Sequence, residues 1–206
     1  MFEIFFFINP VGIYCYDTEK LIRSTITELD IDACYHFIPI VTINVIKKDI
    51  LRRKKDGQKI IDINNYTMAA YNALKDYHAI KLAYGNKKAR SYVFNLQRKI
   101  NKNFNVYSSD LPRKVAKELN LNVKNIKQIK NSNYVIDSID QDKKLAKKSK
   151  IRSIPTTVVF NENDNYSGVL FEGTATRHGL IKLFAPKQDN HALGNFFKPK
   201  NHLRLI

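Results

Sequence analysis

The chain has 206 residues, 44% of them hydrophobic and 26% charged, with 35 Lys and Arg against 19 Asp and Glu and a formal net charge of +16. That size and balance fit one globular domain, or one domain carrying a sizeable insertion. No apolar run approaches the ~20 residues of a membrane helix, and two cysteines, Cys15 and Cys34, exclude a disulfide framework or a cysteine metal site.

The positive charge is spread from Lys20 to Lys200. It reads first as a solvated basic surface and next as attraction to an acidic protein partner. The amino terminus lacks a basic leader, contains Glu3, and its apolar run stops at Pro10 without a small-residue cleavage site. A cytoplasmic, reduced protein without a signal peptide or membrane anchor is therefore expected. His78, His178, His191 and His202 are scattered, so no metal and no cofactor are expected.

Phe2-Glu3-Ile4-Phe5-Phe6-Phe7-Ile8 is a nearly continuous apolar run of strand length, the pattern of a central strand in an α/β sheet. Asn9-Pro10 breaks it, and Val11-Gly12-Ile13-Tyr14-Cys15-Tyr16 opens a helix whose body is expected over 17–29. Asp17 or Thr18 would cap it, and Leu21, Ile22, Ile26 and Leu29 would face the sheet. Residues 33–41 form a second strand, which Pro39 places near an edge or end. The basic segment 47–59, with Arg52-Arg53-Lys54-Lys55, is expected to be an exposed loop or frayed helix.

Helical periodicity then dominates. One helix is expected over 65–83, with Met68, Tyr71, Leu74, Tyr77 and Leu82 inward. A second follows over 87–104 with Ala89, Tyr92, Val93, Leu96 and Ile100 inward, and Gly85-Asn86 stops the first. Ser109-Asp110-Leu111-Pro112 starts a helix ending near Leu119, and Asn122 caps a short one to Ile129. A longer helix runs from 132 or 133 to about 150 with Val135, Ile136, Ile139 and Leu145 inward. Thr156-Thr157-Val158-Val159-Phe160 and 167–171 make a β-hairpin around the turn cluster 161–165, and a closing helix over 176–184 stops at Pro186. The division expected is 1–44 and 133–186 as two parts of one α/β core, 45–132 as a helical insertion packed as an antiparallel bundle, and 187–206 as a basic tail.

Two motifs carry a family likeness. Phe7-Ile8-Asn9-Pro10-Val11-Gly12-Ile13-Tyr14-Cys15-Tyr16 resembles the strand–turn–helix of the thioredoxin fold as elaborated in the DsbA family, where an apolar strand and a proline precede Cys-x-x-Cys. The run from Lys147 to Phe160 resembles the segment ending in that family's cis-proline, here Pro155, and third strand. The order β-α-β, helical insertion, α, β-β-α over residues 2–184 agrees with it. Within the family the chain is most similar to the cytoplasmic SpxH/YjbH group, adaptors that present the regulator Spx to the ClpXP protease; Phe7-Ile8-Asn9-Pro10 and Lys87-Lys88-Ala89-Arg90 carry this narrower likeness.

The departures matter most. The nucleophile position holds Gly12, and Cys15 matches the resolving cysteine. Thiol–disulfide exchange needs an attacking thiolate at the helix end, and a second thiol to resolve the mixed disulfide. Cys15, one turn into the helix, reads as a buried remnant, and Cys34, on a strand with His36 and Ile38, as core packing. The resemblance places a protein-binding edge at Gly12, Ile13, Tyr14, Ile154 and Pro155, where the main chain of Ile154 can pair with an extended partner segment. It implies a non-catalytic adaptor whose partner is an Spx-like regulator, a protease component, or both. The alternative is a thiol oxidoreductase, isomerase or glutathione-dependent transferase with one cysteine. Nucleic-acid binding through the basic segment and tail ranks third, for want of any recognition motif.

Overall fold

The computed structural model describes residues 1–57, 62–102, 107–161 and 168–184, and the backbone of 202–205. Strand β1 (Phe2–Ile8) runs parallel to β2 (Ala33–Pro39) and antiparallel to β3 (Thr156–Asn161); β3 pairs antiparallel with β4 (Gly168–Glu172), and β4 antiparallel with β5 (His202–Leu205). The sheet order is β2-β1-β3-β4-β5. The run Phe2–Ile8 is central because both its faces are buried: Ile4, Phe6 and Ile8 enter the larger apolar cluster, and Phe7 enters a second one on the other side. β5 lies within the segment read from sequence as a tail. The rest of that segment, and the 162–167 turn, lie outside the described residues.

Helix α1 (Ile13–Glu28) starts four residues earlier than the side-chain caps predict. Its N-cap is Gly12, with no capping side chain, while the Thr18 hydroxyl donates to the Tyr14 carbonyl at 2.9 Å inside the helix. The preceding turn, and not a local cap, therefore sets the start. Ile22 and Ile26 reach the core as expected, whereas Leu29 is exposed. Helix α2 (Ile43–Lys55) replaces the expected exposed loop or frayed helix. The Thr42 hydroxyl caps it by accepting the Val45 N–H at 3.2 Å, and Arg53 is fully buried.

Helix α3 (Ile63–Lys102) is two arms broken at Gly85, whose φ of 80° favours glycine. The second arm buries Ala89, Tyr92, Val93, Leu96 and Ile100 as predicted. The first arm buries Leu74 and Tyr77 as predicted, but Met68, Tyr71 and Leu82 are exposed, and Ala69, Ala70, Ala73 and Ile80 are inside instead. Small alanines let neighbouring helices approach closely, and residue size misled the pattern there. Helices α4 (Leu111–Glu118), α5 (Val123–Ile129) and α6 (Asn133–Lys148) follow; the Asn122 side chain caps α5 through the Lys124 and Asn125 N–H groups. On α6 Val135 and Ile139 are buried but Ile136 is exposed. Its inward face is partly polar: Ser138 lies 2.8 Å from His78 Nδ1, and Asp142 lies 3.6 Å from Nε2. Helix α7 (Arg177–Phe184) closes the core through Leu180 and Phe184.

Helices α1, α3 and α7 cover one sheet face, and the carboxyl end of α6, through Leu145 and Ala146, covers the other. Among the described residues no helix is long and apolar enough to cross a membrane.

Candidate functional site

The turn from β1 into α1 and the segment entering β3 meet at one edge of the sheet. Phe7 pairs with Thr156, so the chain reaches Pro155 at the level where β1 ends. The Ile154–Pro155 peptide is cis. Pro155 is buried, and its carbonyl accepts the Gly173 N–H at 2.8 Å. Ile154 is half-buried and packs against both apolar clusters.

Asn9 holds the turn. Its carbonyl accepts the Gly12 N–H at 2.9 Å and the Gln97 Nε2 donor at 2.9 Å. Its side-chain oxygen accepts the Val11 N–H at 3.2 Å, and its Nδ2 donates to the Tyr66 hydroxyl at 3.1 Å. Its own N–H donates to Cys15 Sγ at 3.3 Å. The buried Arg53 adds a second tie, donating to the Val11 carbonyl at 3.3 Å, to Tyr66 at 3.3 Å and to Asp49 at 2.9 Å. Tyr66 in turn donates to Asp49. Burial opposes the Arg53 charge, but Tyr66 and Asp49 outweigh it and its pKa is raised. In the sequence Asn9 stands out only as a strand break and motif residue and Arg53 only as part of a basic run, while Asp49, Tyr66 and Gln97 do not stand out at all. The one readable signal was the i, i+4 spacing of Asp49 and Arg53.

Gly12 sits at the helix end, with φ −77° and ψ 119°. A Cβ there would lie 3.1 Å from Asn9 Cβ, 3.1 Å from Cys15 Sγ and 3.2 Å from the Asn9 carbonyl, so the slot is narrow. Cys15 is fully buried, and burial pushes its thiol pKa far up. With no side chain at Gly12 and the Cys15 sulfur buried, the helix end exposes no thiol.

Ile13 is buried beneath the turn, and Tyr14 is at the surface edge. The Arg52 guanidinium stacks 3.7 Å from the Tyr14 ring centroid and donates to the Thr174 hydroxyl, while the Tyr14 hydroxyl donates to Asp56. Burial and the Asp56 carboxylate push the Tyr14 phenol up. Helix α2 thus leans over the turn from the insertion side. Also on that side, a cleft of about 910 Å³ runs from Val11 and Tyr66 to Tyr92, Tyr107 and the ion pair of Asp76 and Lys130.

Cys34 is not core. It is exposed on β2, an edge strand, with Sγ 3.7 Å from His36 Nε2, and that nitrogen is 2.9 Å from Glu3 Oε1. The helix cover on this sheet face packs farther along, on Ile38 of β2 and on Ile40 just past its end, which leaves Cys34 exposed. Among the described residues no cluster of three or more His, Cys, Asp or Glu side chains could hold a metal ion.

A central strand, a helix springing from its end and a proline-led strand beside that end define a thioredoxin fold, here carrying a helical insertion and with Gly12 at the helix end. A family model described as thioredoxin matches residues 5–180, and the chain belongs to that family. Its architecture is that of the DsbA-like members. A protein disulfide isomerase candidate from Nitrosomonas europaea superposes with a TM-score of 0.61 at 13% identity, over 88% of this chain and 95% of that one. The thiol-disulfide exchange protein alpha-DsbA2 of Wolbachia pipientis gives 0.58 at 13% identity, over 88% and 79%. A 2-hydroxychromene-2-carboxylate isomerase gives 0.56 at 14% identity, over 88% and 92%. At such identities the likeness is one of fold. No curated protein matches the sequence.

Proposed function

We propose that this protein is a non-catalytic, cytoplasmic thioredoxin-fold adaptor, similar to the SpxH/YjbH group, which binds a regulator of the Spx kind and presents it to a protease component. The observation that carries the reading is glycine at the nucleophile position above a wholly buried Cys15. A thiol enzyme needs an accessible thiolate there, and an adaptor does not. The binding edge is Gly12, Ile13, Tyr14, Ile154 and Pro155, with Ile154 offering main-chain pairing to an extended segment. The division into a core of 1–44 and 133–186 with a 45–132 insertion belongs to the same reading, with the insertion shaping one wall of that edge.

Affinity capture on the purified protein, followed by degradation of the captured protein with and without it by a ClpXP-type protease, tests this. Accelerated degradation supports the reading. Disulfide cycling of a model substrate at the rate of a working thiol enzyme, together with no effect on degradation, would favour the single-cysteine enzyme instead.

A further inference from the structure

The surface flanking Ile154 is one-sided in charge. Residues 143–152 carry six cations, Lys143, Lys144, Lys147, Lys148, Lys150 and Arg152, and no carboxylate. All six are exposed, and only Lys143 has an ion-pair partner among the described residues, Asp140 at 3.0 Å. Helix α2 joins this surface. Lys48 Nζ donates to the Arg152 carbonyl at 2.7 Å, and Val45 packs in the same apolar cluster as Leu145, Ile151 and Ile154. The one carboxylate of α2, Asp49, is committed to Arg53 and Tyr66. Ile43, Lys47 and Leu51 recur every four residues, so α2 turns a mixed apolar and basic stripe outward; Ile43 is 56% and Leu51 65% exposed.

Like charges held this close repel one another, and the surface lowers that repulsion when an anionic chain lies on it. Two observations select the kind of chain. Neither the N–H nor the C=O of Ile154 is hydrogen-bonded to a described residue, so a strand-like edge is open beside the cations. No aromatic side chain occurs in 43–55 or 143–152, and the ring of Tyr14 at the same edge is already stacked on Arg52, so these elements offer no free stacking platform of the kind a single-stranded nucleic acid uses. Resting on the adaptor reading above, we propose that the edge at Ile154 takes an extended acidic peptide segment, whose main chain pairs with Ile154 while its alternate carboxylates meet Lys47, Lys144, Lys147 and Lys148.

The test uses the full chain and a fluorescein-labelled twelve-residue peptide of alternating Glu and Val, read by anisotropy. The comparison probes are the Gln–Val peptide and a twelve-nucleotide oligothymidylate. The Glu–Val peptide is expected to bind at least tenfold more tightly than the Gln–Val peptide at low salt, and the difference shrinks as salt is raised. Lys144→Glu/Lys147→Glu/Lys148→Glu alters only exposed positions and is expected to weaken Glu–Val binding tenfold or more. Lys117→Glu/Lys124→Glu/Lys127→Glu, an equal charge change on α4 and α5, is expected to move it less than about threefold, through long-range steering alone. Circular dichroism confirms that both variants fold. Equal losses in the two triple variants, or tighter binding of oligothymidylate that displaces the peptide, overturn the proposal. If the Gln–Val peptide binds as well as Glu–Val and competes with it, a peptide site stands and the acidic preference falls. If no peptide binds, both this inference and the reading beneath it fall.

Discussion

Gly12→Cys creates a Cys-x-x-Cys pair with Cys15, and the geometry forecasts the result. The backbone at Gly12, φ −77° and ψ 119°, suits any L-residue, so no backbone strain arises. The Cβ position lies 3.1 Å from Cys15 Sγ, close to the roughly 3 Å that a disulfide imposes between one Cβ and the far sulfur. The obstacle is Asn9, whose Cβ and carbonyl stand 3.1 and 3.2 Å away and which five hydrogen-bonding groups hold in place. Overpacking of this kind costs about 1–3 kcal/mol. Closing so short a loop stabilises by about 2 kcal/mol on the chain-entropy model. The oxidised variant should therefore match the wild type to within about 1 kcal/mol, and the reduced variant should be about 1–3 kcal/mol less stable. Urea denaturation with and without reductant measures both, and intact mass with thiol counting reports the bond. Insulin reduction should rise above the wild-type background. A variant that fails to oxidise in a glutathione buffer, or a wild type already as active as the variant, refutes the reasoning.

Three further outcomes follow from the same geometry. In native buffer a maleimide should label Cys34 rapidly and leave Cys15 untouched until denaturant is added, since one thiol is exposed and the other buried; peptide mapping of the labelled protein checks this. Arg53→Met strands Asp49 in a nearly buried setting and should lower stability by about 3–5 kcal/mol, with Arg53→Met/Asp49→Leu recovering most of it in thermal melts. Burial raises the Glu19 carboxyl to about 8 and Asp142 to about 6, while burial lowers His78 to about 3. A raised carboxyl binds its proton more tightly when folded, so its contribution is complete at low pH and declines as pH rises from the unfolded to the folded value; a lowered histidine does the reverse between about 3 and 6.5. Between about pH 7 and 8 Glu19 dominates these three, and stability should fall by about 1 kcal/mol per pH unit, a slope that Glu19→Gln abolishes in denaturant titrations.

What the sequence disclosed and what it hid divide along contact range. The run Phe2–Ile8, the break at Gly85 and the Asn122 cap were legible because each is written within a few residues: apolar continuity, a required positive φ, a side chain over its own helix end. Arg53 was hidden because its partners Val11 and Tyr66 are 42 and 13 residues away, and a charge run normally marks a wet surface. Cys34 was misjudged because burial on an edge strand depends on what covers that face, which alternation cannot tell. The glycine at position 12 was visible, but the close approach of Asn9 and Cys15 to it was not.

The five-fold tethering of Asn9 has one more consequence. A loop pinned by every polar atom of its central residue has almost no freedom left to surrender, so in any encounter the visitor bears nearly the whole entropic loss of becoming ordered. Ligands pre-shaped by cyclisation should then outbind their linear counterparts by far more than their extra contacts would explain.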